Sequence, residues 1–258
     1  MKSNFSLEFA SMTDTGRVRS HNEDSIVTDA AQGLAILADG MGGYNAGEIA
    51  SSMATSIVQR AIETRLDTAG AVEGGVTAEV TGRLLIQSAI AANSAIFEAG
   101  LKEPTFNGMG TTLVIIAFDV DSVAIANVGD SRAYRLRAGV LDQLTRDHSL
   151  LQEQIDAGLI NPEQAQFAQH KNLITRAVGV DLLLEPDLGI FRVEAGDVYL
   201  LCSDGLSDML SDAVLAKTIQ THSSDLIEAV HTLVALANDA GGRDNISAIL
   251  VRAIPANA

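Results

Sequence analysis

The chain is 258 residues long, enough for one large domain or two small ones with a substantial core. Apolar residues make up 47% and charged residues 19%, which excludes a disordered chain. With 33 acidic against 17 basic side chains the net charge is −16, and no basic patch stands out, so a nucleic-acid backbone is excluded as the expected partner.

The opening Met1-Lys2-Ser3-Asn4-Phe5 has no apolar core of signal-peptide length, and no later run reads as a membrane span. The cytoplasm is the expected location. Residues 5–13 are mixed and β-prone and predict an opening strand. A polar stretch, Arg19-Ser20-His21-Asn22-Glu23-Asp24, leads to Ser25-Ile26-Val27-Thr28, a turn at Ala31-Gln32-Gly33, and the apolar run Leu34-Ala35-Ile36-Leu37-Ala38. The pattern is a hairpin that places Asp24 and Asp39 on neighbouring strands. Asp39 sits where the strand gives way to Gly40-Met41-Gly42-Gly43, whose glycines let the backbone turn tightly and bring a carbonyl close to whatever Asp39 holds.

From 46 to 66 the period becomes helical, with Ile49, Met53 and Ile57 in one row and Ala50, Ala54, Val58 and Ile62 in the next. A Gly- and Ala-rich link near 69–76 precedes a second helix carrying Leu85, Ala89, Ala92, Ile96 and Ala99 on one face. Strands at 111–118 and 122–128 follow, joined by Asp119-Val120-Asp121. Gly129-Asp130-Ser131-Arg132 interrupts, and 133–137 pairs with 140–144 around Ala138-Gly139. Sequential hairpins mean antiparallel pairing, so a doubly wound dinucleotide fold is not expected. No G-x-G-x-x-G opens a helix and no Walker loop occurs.

Residues 145–185 are rich in Gln and carry His148 and His170; Asn161-Pro162-Glu163-Gln164 is a helix start. This segment reads as short helices forming a flap over the rest. Strands follow at 187–193 and 197–202 around Glu194-Ala195-Gly196. The single cysteine, Cys202, ends the apolar run Val198-Tyr199-Leu200-Leu201 and reads as a buried hydrophobe; with no pair available, no intramolecular disulfide forms, as suits a reducing compartment. A helix over 225–240 is expected to bury Ile227, Val230, Leu233, Val234 and Ala237 and to stop at Gly241-Gly242, with a last strand at 246–251. Repeats, low-complexity segments and linker-like boundaries are not seen.

Asp24, Asp39, Asp204 and Asp244 each lie beside a hydrophobic strand. Carboxylates gathered at one end of a sheet repel unless protons or cations lie between them, and hard divalent ions are the simplest answer. If Asp39, Asp204 and Asp244 converge they make an oxygen-only site, which selects Mg²⁺ or Mn²⁺ over zinc; the five His are scattered. Two such ions about 3.5–4 Å apart could share Asp39 and hold a hydroxide suited to in-line attack on a phosphate ester. Arg19 could supply a bidentate guanidinium for the phosphate.

Six motifs carry a family resemblance. Arg19-Ser20-His21-Asn22-Glu23-Asp24, Ala38-Asp39-Gly40-Met41-Gly42-Gly43, Gly108-Met109-Gly110-Thr111-Thr112, Val128-Gly129-Asp130-Ser131-Arg132, Ser203-Asp204-Gly205-Leu206 and Asp244-Asn245 resemble, in order and spacing, the series of the metal-dependent type 2C protein serine/threonine phosphatases. The match runs from about residue 10 to residue 252, and 172–179 is similar to the segment after the family's flap. The resemblance implies an α+β fold, a four-layer α-β-β-α sandwich of two antiparallel sheets flanked by helices, as one catalytic domain over 1–258 with a helical flap at about 145–185. It implies Mn²⁺ or Mg²⁺ as cofactor, two ions and, as in bacterial members, a third. Asp39 would bridge both ions and the Gly40 carbonyl would bind one; Asp204 and Asp244 would complete the other. Glu23 and Asp24 would ligate directly or through water, Asp130 with Asp204 would hold the third ion, and Arg19 would bind the phosphate. Ser203 and Asn245 would support the ligands, and Thr111 and Thr112 would be strand and core positions. Many eukaryotic members carry a His after the Asp-Gly; Met41 stands there, as in the bacterial branch, and cannot donate a proton.

The function implied is hydrolysis of phosphoserine and phosphothreonine in proteins, opposing a bacterial Ser/Thr kinase. A phosphoprotein-binding module with little turnover is the alternative, which the intact carboxylate set argues against. A metal-free glycosidase built on a carboxylate pair is a third reading, separated by chelation. A monomer is expected, since neither a heptad seam nor an exposed apolar stripe is visible.

Overall fold

The computed structural model describes residues 5–43, 45–69, 77–161 and 173–255. Strands β1 (Phe5–Asp14), β2 (Asp24–Asp29) and β3 (Leu34–Met41) open the chain. Helices α1 (Ala46–Ala69) and α2 (Ala78–Lys102) follow. Next come β4 (Gly110–Thr111), β5 (Leu113–Phe118), β6 (Ser122–Val128), β7 (Arg132–Arg137), β8 (Val140–Gln143) and α3 (Leu150–Asp156). The chain ends with β9 (Asp187–Arg192), β10 (Val198–Cys202), α4 (Asp204–Ser207), α5 (Asp212–Thr221), α6 (Leu226–Asp239) and β11 (Ile246–Pro255). One sheet runs β1-β11-β10-β7-β8 and the other β2-β3-β5-β6-β9, with β4 paired to β3; every pairing is antiparallel.

The four layers follow from strands that are apolar on both faces. In β3, Leu34, Ile36 and Ala38 face α1 and α2, while Ala35 and Leu37 alternate onto the opposite sheet. In β10 and β11, Leu200, Cys202, Ala248 and Leu250 face α5 and α6, and Tyr199, Leu201, Ile249 and Val251 face the other sheet. A strand covered on both sides reads as a continuous apolar run, as 34–38, 198–202 and 248–251 do. The sandwich expected from the resemblance is the fold observed.

The α1 row Ala50, Ala54, Val58 and Ile62 is buried as its period requires. Helix α2 is long and apolar enough to cross a membrane by composition, with mean hydropathy 1.3 over its most apolar window. Its Leu85, Ala89, Ala92 and Ile96, however, pack into the core beneath β3, β5 and β6.

Four details depart from the expectations. Ile227 is 62% exposed, because α6 begins at Leu226 and its buried stripe runs through Leu226, Val230, Leu233, Val234 and Ala237; one residue beyond Leu226 lies about 100° round the helix. The strand read over 111–118 breaks at Thr112 into β4 and β5. Helices α4 and α5 were not foreseen. Leu182 and Leu183 stand exposed in the loop after Gly179. The predicted link within 70–76 and the helix starting at Pro162 lie outside the described residues.

The two-residue β7–β8 loop places Ala138 at φ 48° and Gly139 at φ 87°. Both positive values mark a type I′ turn, which suits Asn or Gly better than Ala. Ala138→Asn is expected to stabilise the fold by about 1 kcal/mol, since a left-handed non-glycine residue costs about 1–2 kcal/mol. Thermal melts should show a rise of about 2–4 °C.

Candidate metal centre

Asp24 lies directly opposite Asp39 in the β2–β3 ladder, as the hairpin predicted. Backbone bonds hold that end of the sheet. The Asp39 N–H donates to Thr112 Oγ1 at 2.9 Å, and its carbonyl accepts from Thr112 N–H at 2.8 Å and Thr111 Oγ1 at 2.8 Å. Thr111 and Thr112 are buried strand and core positions as expected, and they also clamp Asp39.

Glu23 is tied at its backbone. Its N–H donates to Asn245 Oδ1 at 2.8 Å, and its carbonyl accepts from Gly40 N–H at 3.1 Å and Ser51 Oγ of α1 at 2.6 Å. Chain crowding explains two glycines. A Cβ on Gly40 would lie 2.2 Å from the Gly47 carbonyl oxygen and 2.6 Å from that of Glu23. A Cβ on Gly47 would lie 2.8 Å from the Glu23 carboxyl carbon. Gly40→Ala meets rigid backbone and is expected to cost about 3 kcal/mol in chelator, as overpacking does. Gly47→Ala meets only the end of a flexible side chain; it should melt close to wild type while weakening Mn²⁺ binding in calorimetry.

Ser203 and Asn245 sit behind the carboxylates. Buried Ser203 donates from Oγ to Asp24 Oδ2 at 2.9 Å and accepts from Ser247 N–H at 3.0 Å. Asn245 donates from Nδ2 to the carbonyls of Thr15 and His21 at 3.0 and 2.9 Å, so one side chain straps the 15–23 loop onto the start of β11. Asp244 pairs with Arg19, Nη2 to Oδ2 at 2.6 Å, with half of the Arg19 side chain exposed. Asp204 opens α4 at the end of β10, and Asp130 is buried where the chain leaves β6 for β7 in the other sheet.

The electrostatics join these positions. Burial, followed by repulsion from Asp24, Asp204, Asp130 and Asp244, pushes the Asp39 carboxyl well above the usual range. Asp204 is raised well above it by burial and then by Asp130, Asp208, Asp244 and Asp24. Asp24 is raised by burial to about 6, opposed by bonds from Ser247 and Ser203. Asp130 reaches about 7 through burial and the Asp147 charge. Glu23 is raised by burial and lowered in turn by Arg19, whose own value is raised by its bond to Asp244. Every predicted carboxylate therefore belongs to one region of mutual repulsion. Asp208, not foreseen, adds to it; it follows Asp204 by four residues, a spacing that puts both on one helical face.

The donors fit hard divalent cations. All are oxygens, Asp24, Asp39 and Asp204 keep part of their surface open, and Asp24 Oδ1 is buried with no hydrogen-bond donor among the described residues. Among the described residues no three His, Cys, Asp or Glu side chains are drawn into a finished coordination shell. The fit rests instead on the orphaned oxygen and on the like charges that a cation would relieve.

The chain is similar to known proteins over nearly its whole length. Residues 15–250 match the family model described as protein phosphatase 2C. The protein phosphatase PhpP of Streptococcus pneumoniae is 39% identical over 249 residues, 95% of this chain and 97% of PhpP. The crystal structure of the Mycobacterium tuberculosis serine/threonine phosphatase PstP/Ppp is 38% identical, covers 96% of this chain and 99% of its own, and superposes with a TM-score of 0.86. A PstP catalytic domain in complex with two manganese ions is 37% identical, covering 96% of this chain and 98% of its own, with a TM-score of 0.82. From its motifs, its sandwich and these matches, the chain belongs to the protein phosphatase 2C family.

Proposed function

We propose that this serine/threonine protein phosphatase hydrolyses phosphoserine and phosphothreonine in proteins, with manganese or magnesium held on the carboxylates at the Asp24–Asp39 end of the sandwich. The observation that carries the reading is the Asp24–Asp39 pair, opposed in register, crowded by Asp204, Asp130 and Asp244, with Asp24 Oδ1 lacking a donor among the described residues. Asp39 and the Gly40 carbonyl would hold two ions together with Asp204 and Asp244. Glu23 and Asp24 would ligate directly or through water, and Asp130 with Asp204 would take a third. When bound, such ions supply positive charge for the phosphate oxygens and lower the pKa of a water.

The chain's own groups do the rest. Arg19 is oriented by Asp244 beside the carboxylates, and its exposed guanidinium presents parallel N–H donors to a phosphate dianion. Ser203 favours the ionised form of Asp24 by donating to Oδ2, against the burial that raises it. Asn245 fixes the loop carrying Arg19 and Glu23, which sets the distance from phosphate to carboxylates. Met41 carries no transferable proton, so the leaving alkoxide takes its proton from water. We extend the proposal to one catalytic domain over 1–258, with the 145–185 flap shaping access, opposing a bacterial Ser/Thr kinase.

The test is hydrolysis of p-nitrophenyl phosphate and a phosphothreonine peptide, with Mn²⁺ or with EDTA. Manganese-dependent turnover of both substrates is expected. A folded, metal-loaded wild type that binds the peptide without cleaving it would overturn the reading in favour of a phosphoprotein-binding module.

A further inference from the structure

Asp130 sits in the crossing between the two sheets, on a turn that must adopt an unusual shape. Gly129 has φ 101°, and a Cβ there would lie 2.7 Å from the Thr112 side chain. Thr112 holds one side of this turn, with its Oγ1 2.8 Å from Ser131 Oγ while it also binds Asp39. Buried His148 holds the other side, closing on the Gly129 peptide twice. Its N–H donates to the Gly129 carbonyl at 2.9 Å, and its ring Nδ1 accepts from the Gly129 N–H at 3.1 Å. An amide N–H can only donate, so Nδ1 is unprotonated and the ring proton is on Nε2. Nε2 faces both Asp187 Oδ2 at 3.2 Å and Arg176 Nη1 at 3.1 Å, and Nη1 also binds Oδ1 of that carboxylate at 2.9 Å; of these two neighbours only the carboxylate can accept the Nε2 proton. The His148 carbonyl accepts from Thr175 N–H at 2.8 Å, joining the same residue's backbone to the 173–176 segment.

We propose that His148 is a positioning residue for Asp130, fixing the Gly129 peptide through Nδ1 while its Nε2 is anchored on the Asp187–Arg176 pair. The inference rests on the reading of Asp130 as part of the metal centre. Each part of the ring has a separate task. Nδ1 sets the turn that aims Asp130, whereas Nε2 sets the ring and ties it to the segment beyond the flap. Groups that orient a metal ligand without touching the ion commonly account for about 10–100-fold in affinity or activity.

Two substitutions separate these tasks in the full chain. The Asn side-chain oxygen in His148→Asn falls near Nδ1 and can still accept from Gly129, whereas the Gln amide in His148→Gln reaches toward Asp187 and leaves Gly129 without its acceptor. Three readouts are taken: amide exchange at residues 129–131 in EDTA, Mn²⁺ calorimetry, and phosphothreonine-peptide kinetics. His148→Gln is expected to speed exchange at Gly129, weaken the weakest Mn²⁺ site and lower kcat, each by about tenfold, with KM within about twofold. His148→Asn should keep all three within about threefold of wild type. A His148→Gln protein with wild-type exchange, isotherm and kcat overturns the proposal, and so does an Asn variant that loses as much as the Gln variant. Should His148→Gln fail to fold, the Asn variant decides by the same exchange and isotherm. An inactive wild type would refute the phosphatase reading and leave the exchange comparison, made without metal, fully readable.

Discussion

Asp39→Asn is expected to lower Mn²⁺-dependent phosphatase activity by about a thousandfold or more, a loss at least as large as that from deleting one charge-stabilising group in an active site. The same substitution should raise the melting temperature of the chelated protein. Asp39 is partly buried and faces Asp24, Asp204, Asp130 and Asp244, so its ionised form is opposed by burial and by four like charges. An amide of the same shape removes that repulsion while leaving the backbone bonds to Thr112 in place. Opposite movements of activity and stability are the diagnostic result. A variant that loses activity and also melts earlier in EDTA would mean that Asp39 serves the fold, and the metal-centre reading would fail. Asp204→Asn should behave the same way, because burial and Asp130, Asp208, Asp244 and Asp24 raise its carboxyl as well.

The second large effect is on stability against pH and metal. Asp24 and Asp130 stand at about 6 and about 7 in the folded protein, above the value of about 3.9 for an unperturbed Asp. Groups whose folded values are raised take up protons on folding. Their contribution is fully present below about pH 4 and is lost as pH rises through 6 and 7. The chelated protein should therefore melt progressively earlier from pH 5 to pH 8. Manganese at about one hundred times its dissociation constant should restore about 2.7 kcal/mol, roughly 5–10 °C at this chain length. The recovery should grow with pH, because the ligands must be ionised to bind. Melting curves in EDTA and in Mn²⁺ at several pH values measure this directly. A chelated protein whose melting temperature is flat from pH 5 to 8, with no response to Mn²⁺, would contradict a cation site on these carboxylates. Asp39→Asn provides the control for the metal response, which it should abolish, while the pH slope carried by Asp24 and Asp130 should persist, since burial is the first cause of both shifts.

Much of this architecture is legible along the chain. The continuous apolar runs at 34–38, 198–202 and 248–251 announce strands covered on both faces, and the helical rows of α1, α2 and α6 announce the outer layers. The two-residue Ala138-Gly139 turn and the register of Asp24 against Asp39 follow from hairpin geometry, which acts over a few residues. Asp39, Asp204 and Asp244 were nameable because an acidic residue at a strand end beside a glycine or an asparagine leaves a local mark.

Other features leave none. Asp208 had no motif of its own, and its role emerges only because α4 turns it toward Asp204 and Asp130. Ile227 and Leu226 are neighbours of nearly equal hydropathy, and only the packing of α6 on its sheet decides which one is buried. The bond from Ser203 to Asp24 spans 179 positions, the strap from Asn245 to His21 spans 224, and the pair Arg19–Asp244 spans 225. The sequence by itself determined most of the strands, the helices α1, α2 and α6, and which carboxylates end the strands, because those signals are periodicities and turn chemistry confined to neighbouring residues. The tertiary structure alone decided that β10 and β11 lie beside one another in one sheet while the β2–β3 hairpin joins the other. Strand order is set by how two apolar faces cover each other, and that order brings five aspartates from distant parts of the chain into one field of repulsion.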